Sequence, residues 1–326
     1  DLGAGGSYSL VAERGVCRAV QGEGDAGSDA VRATIVAQEQ DAIDLLTGKV
    51  AARYAAQSER FAVSGHVQVL MALAEAVRLE QDGSEPLSLL SGPFPVEKVR
   101  KVLLDRADRQ PFPTTEDRAA WAHMPASVCE SLLAGGEDVL ELEWPHTLAV
   151  RYLDYARDGN RSRYQGRAFQ RRRKLGSLVL AECVEGEGRF LDEIANGIWM
   201  ICEESSWCVP AHIGVQRAGS GLPDTTEPIV DLFAAETSAL LSWIDYLLGA
   251  RLDGVSPLIR PRVQREIDAR ILTPCLERDD FWWMGFMPRR VNNWNPWINS
   301  NWLTSALLME ADPERRIRAV AKSLRS

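Results

Sequence analysis

The run Val291-Asn292-Asn293-Trp294-Asn295-Pro296-Trp297-Ile298-Asn299-Ser300-Asn301-Trp302 packs five asparagines and three tryptophans into twelve residues. An asparagine amide donates and accepts hydrogen bonds without carrying charge. A tryptophan offers a wide apolar face with one N–H donor. Together they suit a cleft for a polyhydroxylated ligand: the faces of Trp294 and Trp297 stack on a sugar ring, while Asn292, Asn293 and Asn295 read hydroxyls and a carboxylate. Trp282, Trp283 and Trp302 fall in the same stretch. The alternative is a tryptophan-rich core with amide-capped turns, because aromatics pack more often than they touch ligands.

His212 is the second chemical candidate. It follows Trp207-Cys208-Val209-Pro210-Ala211, a proline-bounded stretch after a helix. Such a loop suits either a cleft-lining histidine or a structural one bonded to backbone. Glu203 and Glu204 precede it. Adjacent carboxylates on a helix point in different directions, so spacing alone does not make them a glycosidase pair. One of them, Glu204, is a candidate for sugar hydroxyls; a solvated or helix-bonded role competes. Glu236 sits inside an apolar segment, where a carboxylate is either paired or faces a cleft.

These residues must be positioned by helices. Leu148, Ala149, Tyr152, Leu153 and Ala156 form an apolar stripe that stops at Asp158-Gly159-Asn160, a C-terminal signal. Leu175, Leu178, Val179 and Cys183 form the next, ending in Glu185-Gly186-Glu187-Gly188. Leu191, Ile194, Ile198 and Ile201 follow at helical spacing. Asp231 reads as an N-cap before Leu232 to Leu248, a helix apolar on more than one side and therefore buried between neighbours. Ser256-Pro257 opens a helix with Ile259, Val263, Ile267 and Ile271 on one face, closed by Pro274. Asp312-Pro313 repeats the cap-and-proline signal before Ile317, Val320, Ala321 and Leu324.

No strand-type alternation persists over a comparable length, so the expected class is all-α, an array of helical hairpins. The final stripe needs a partner to cover it, and the chain reads as cut inside a larger helical domain. Residues 1–85 are Ala- and Gly-rich, carry no motif and remain an unassigned extension, of which Asp29 to Leu79 could form helices. Asp82-Gly83-Ser84 and Ser91-Gly92-Pro93 separate this extension from the rest.

The 326 residues carry a formal net charge of -9, which argues against binding a nucleic-acid phosphate backbone. The basic run Arg171-Arg172-Arg173-Lys174 is read as a solvated helix face. No apolar run is long enough to span a bilayer. Six cysteines, with no CxxC among them, default to buried free thiols. The four histidines lack ligand spacing, so neither a metal nor a cofactor is expected. No signal peptide is visible.

Trp144-Pro145, Tyr152 to Arg161, Ala181 to Asn196, Cys202 to His212, Asp231 to Thr237 and Asn292 to Asn301 together resemble the heparinase II/III-like family of polysaccharide lyases. The resemblance covers about residues 95–326. It implies an incomplete (α/α) toroid, truncated before the rest of the toroid and the C-terminal β-sandwich of the family. It also implies β-elimination of an anionic, uronic-acid-containing polysaccharide, in a periplasmic or secreted setting.

Such a lyase removes the proton beside the uronate carboxylate and expels the 4-linked sugar, which requires donors aimed at the developing enolate plus a base and an acid. By resemblance, Asn293 and then Asn292 face the carboxylate, and His212 joins them as a catalytic candidate. Trp294, Asn295, Trp297, Trp207, Glu204 and Arg189 are the expected substrate contacts, Arg189 competing with a structural ion pair near Asp192. Many members carry His directly after the paired Asn, where this chain has Trp294. The family's catalytic Tyr is expected beyond Ser326. Two other readings stay open: a glycan-binding member without chemistry, and an (α/α) toroid glycoside hydrolase.

Overall fold

The computed structural model describes residues 89–286 and 291–326 in full, together with the backbone of four strands between residues 7 and 65. The chain separates into two compact units, 1–87 with 285–291 and 88–284 with 292–326.

The first unit holds an antiparallel sheet of β1 (Ser7–Glu13), β2 (Val16–Gln21), β3 (Val31–Val36) and β4 (Ala62–Gly65) in the order β2-β1-β3-β4. Leu10 of β1 pairs with Ala19 on one side and Ala33 on the other. This corrects the helical reading of 29–79 at β3 and β4. VRATIV is rich in β-branched residues, which favour a pleated backbone. A strand of four to seven residues is also too short to show the sustained alternation that the sequence reading required.

The second unit is all-helical among its described residues. Its helices are α1 (Val96–Val102), α2 (Arg118–Ala122), α3 (Ala126–Leu140), α4 (Ala149–Asp158), α5 (Ser162–Glu185), α6 (Leu191–Cys202), α7 (Leu232–Val255), α8 (Ile259–Ile267), α9 (Thr273–Glu277), α10 (Trp294–Met309) and α11 (Pro313–Arg325). No helix among the described residues is long and apolar enough to cross a membrane.

Their termini follow the sequence signals. Gly159 ends α4 at φ 74°, a left-handed turn open to glycine without a Cβ penalty. Asp231 Oδ1 accepts from Ala234 N at 2.7 Å, and Asp312 Oδ1 from Glu314 N at 2.8 Å, so both aspartates cap their helices. Ser256 instead closes α7, and α8 begins at Ile259. Pro274 does not close the element either. A π-helical turn, Asp268–Leu272, widens the spiral just before it, and α9 continues beyond. A widened turn makes room for the proline ring against the preceding carbonyl, to which proline has no N–H to donate.

The core runs along α5, α6, α7 and α10. Leu175, Leu178, Ile194, Ile198, Ile201, Leu241, Trp283 and Trp302 are fully buried. Packing of α3 on α5 is close: a Cβ at Gly136 would stand 2.3 Å from that of Ala181. The α11 stripe, expected to lack a partner, packs on α1, α9 and α10, with Ile317 and Ala319 buried.

Candidate functional site

Four segments of the helical unit converge on His212. Asp231, at the start of α7, is its anchor. One carboxylate oxygen of Asp231 caps the helix; the other accepts from Val209 N at 3.2 Å and pairs with His212 Nδ1 at 2.7 Å. An ionised carboxylate only accepts, so Nδ1 carries a hydrogen, and the neutral form of the ring presents the lone pair of Nε2. Nε2 has no hydrogen-bond partner among the described residues. Local sequence explains the arrangement. Val209-Pro210 turns the chain after α6, and a single aspartate fixes that turn, the helix start and the imidazole tautomer together.

Aromatic rings wall the imidazole. Trp294 lies 4.6 Å from it between centroids, and Phe233 lies parallel to it at 5.8 Å. Trp282 packs on Trp294 at 4.8 Å. Trp297 meets Phe233 edge-on at 6.4 Å and is 41% exposed. A half-exposed aromatic wall beside a polar ring nitrogen suits a ligand with one apolar face and several polar groups.

The asparagines divide into two sets. Asn293 stands at the start of α10, exposed, and its amide makes no hydrogen bond among the described residues. Exposed Asn292 uses only Oδ1, which accepts from Trp294 N at 2.9 Å, and keeps its two amide hydrogens. Asn295 donates instead to Trp283 O at 2.9 Å and Ser326 O at 2.8 Å, so the expected ligand contact is a tie between α10 and the end of α11. Asn299 accepts from the Trp302 indole, and Asn301 donates to Trp297 O. The run is therefore ligand-like at its start and a tryptophan core with amide ties further on.

Three other expected contacts have structural roles. Glu204 is sealed between Arg171 at 3.0 Å and Arg172 at 2.6 Å, its side chain 2% exposed. Burial works against the Arg172 charge, and Glu204 more than offsets it, so the guanidinium pKa rises. Trp207 is buried, donates to Ile201 O at 2.9 Å and carries the Arg270 guanidinium over its ring. Arg189 pairs with Glu185 and Glu137 rather than Asp192. Each was read from motif position; burial and the partners brought by neighbouring helices decided otherwise.

The same contacts correct the solvated reading of the basic run. Arg171 and Arg172 hold Glu204, Lys174 holds Glu193 at 2.9 Å, and only Arg173 faces solvent. Glu236, by contrast, is exposed. Tyr152 donates to Cys208 O, and burial pushes its hydroxyl far above the usual range. Burial also raises Tyr164, to about 12, so neither phenol is a base at neutral pH.

Asp231 is the residue of this candidate site that sequence reasoning missed. It reads as a helix cap, and only the fold brings His212 to its second oxygen. Cys183, Cys202, Cys208 and Cys275 are buried free thiols. Among the described residues no group of three or more His, Cys, Asp or Glu side chains is arranged to hold a metal. Compared with family models and with curated proteins, the chain matches none.

Proposed function

We propose that the protein is a polysaccharide lyase, cleaving a uronic-acid-containing polysaccharide by β-elimination at the His212 site. One observation carries this reading: an imidazole held through Nδ1 by Asp231, with Nε2 unpartnered among the described residues, against Trp294, which follows directly on Asn292 and Asn293, whose side-chain amide hydrogens are not donated to any described residue. The amides donate to the uronate carboxylate, spreading the charge that builds as the neighbouring C–H bond breaks. Nε2 takes that proton, and Asp231 stabilises the imidazolium. The released electron pair forms the C4–C5 double bond, the C4–O bond breaks, and the leaving oxygen takes the proton back from the imidazolium. Trp294 and Trp297 hold the sugar faces. The packing of α3 on α5, α5 on α6, α6 on α7 and α7 on α10 supports an (α/α) toroid as the frame, and a periplasmic or secreted setting suits the substrate.

The test incubates the protein with a panel of uronate polymers and follows the ultraviolet absorbance of the unsaturated product. Absorbance that disappears in His212→Ala and Asn293→Ala supports the reading. New reducing ends without absorbance identify a hydrolase. Retained glycan binding with neither product identifies a binding protein, the reading that Trp294 at the family's usual histidine position favours.

A further inference from the structure

A cavity of about 390 Å³ lies between the start of α4, the middle of α5 and the turn after α6. His212, Trp294 and Asn293 are not among its walls. It adjoins the loop that carries His212, because Tyr152, in its wall, donates to Cys208 O at 3.0 Å. That bond occupies the Tyr152 hydroxyl, and Glu204 is closed between Arg171 and Arg172. Other polar groups of the wall are not engaged. Arg171, its side chain 6% exposed, donates from Nε to Pro145 O at 2.7 Å and from Nη1 to Glu204 at 3.0 Å. Its Nη2 has no partner among the described residues and remains in contact with solvent, and the side chain borders this cavity. Glu203, next to the sealed Glu204, is exposed and makes no hydrogen bond or ion pair through its side chain among the described residues.

A guanidinium only donates hydrogen bonds and a carboxylate only accepts them. A ligand that meets both must accept and donate, which hydroxyls do and which neither a bare anion nor an ammonium group does. Met200, Leu222 and Pro223 give the cavity an apolar side, which suits the C–H face of a sugar ring. Arg171 is already fixed by Pro145 and Glu204, so little ordering is required of it when the ligand arrives. We propose that this cavity binds an uncharged sugar unit, with Arg171 Nη2 donating to one hydroxyl and Glu203 accepting from another. The contact expected of Glu204 thereby passes to its neighbour: Glu204 holds Arg171 in place, and Glu203 meets the ligand. Glu203 also borders a hollow of about 310 Å³ that shares residues 203–206 as a wall, which leaves room for a chain to continue past the first ring. The assignment rests on these groups and not on elimination at His212.

Titration calorimetry with neutral tetrasaccharides of glucose, galactose, mannose and N-acetylglucosamine tests this. At least one is expected to saturate a single site. Glu203→Ala is expected to weaken it at least tenfold and Glu203→Gln to keep part of the affinity. Glu203 is exposed and unpartnered, so both variants are expected to unfold at the wild-type midpoint. Trp294→Ala, expected to weaken uronate oligosaccharides, should leave the neutral one unchanged. In methyl-labelled protein the Met200 resonance, at the cavity wall, is expected to move during the titration. No saturable binding of any of the four, or equal binding by wild type and Glu203→Ala, overturns the proposal. So does a loss in Trp294→Ala as large as that in Glu203→Ala, or a titration that leaves Met200 unmoved. Because these are binding measurements, absence of the unsaturated product counts against the lyase reading and not against this site.

Discussion

Glu204 and His212 lie eight positions apart, on the same stretch between α6 and α7, and each meets groups of opposite polarity. Their surroundings make them different objects. Glu204 is 2% exposed, and both its oxygens face guanidiniums. His212 is 14% exposed, spends one nitrogen on Asp231 and has no partner for the other among the described residues. A closed set of hydrogen bonds holds a fold together. A set with one group left open at the surface can act on something else. Helix α10 repeats the contrast within one element: at its start Asn293 is exposed and Trp294 is half-buried against His212, while Asn299 and Trp302 are locked together within it.

The comparison predicts the largest stability effect at the closed pair. Glu204→Ala leaves Arg171 and Arg172 buried without a counter-charge and is expected to destabilise by about 3–5 kcal/mol in denaturant unfolding, as breaking a buried ion pair does. Trp302→Ala, at 0% exposure, is expected to cost a similar 3–5 kcal/mol, roughly, through the cavity it leaves. Trp294→Ala is expected to cost less stability and to weaken oligosaccharide binding instead. Equal unfolding midpoints for the two tryptophan variants would erase the division of α10.

Catalysis is expected to show the reverse order. His212→Ala should lower the rate of unsaturated-product formation by about 10²–10⁴-fold, the usual contribution of a positioned base. Its stability should stay near wild type. Asp231→Asn can still cap α7 through its amide oxygen but no longer stabilises an imidazolium. Its NH2 then faces the Val209 and His212 N–H groups that the second carboxylate oxygen accepts from, so it is expected to lose most of the rate together with about 1–3 kcal/mol of stability, whereas Asp231→Ala should also lose the cap. An Asp231→Asn variant with full activity would remove Asp231 from the site.

The smallest effect is a pH dependence at Glu193. Partial burial pushes its carboxyl up, but hydrogen bonds from Lys174, Asn196 and Trp144 outweigh this and hold it below the usual value. A carboxyl depressed in the folded state contributes stability above its unfolded pKa and loses it as pH falls through the folded one. Acidification through the range below the ordinary carboxylate pKa is therefore expected to remove more stability from the wild type than from Glu193→Gln. Parallel stability–pH curves for the two would show that the pair contributes nothing.

Much of the helical unit was legible because local rules govern it. Apolar spacing located α4 to α8 and α11, and Asp231, Asp312 and Gly159 marked ends through their own side chains or backbone. Pro274 and Ser256 misled by a few residues, since a π turn and an extended C-cap are settled by the packing around them. The short strands of the first unit escaped detection because six residues of alternation do not stand out from background.

Residue type and order by themselves determined a helical unit with a tryptophan–asparagine segment and a proline-bounded histidine. Tertiary structure alone decided which of these groups are open. Arg171, Arg172 and Lys174 look like a solvated basic face until α6 and the turn after it bring Glu193 and Glu204 to them. Asp231 looks like a cap until the loop after α6 folds back to set His212 on its second oxygen. Whether a polar side chain is available for chemistry depends on partners distant in sequence and on exposure to water, and neither is encoded in local spacing.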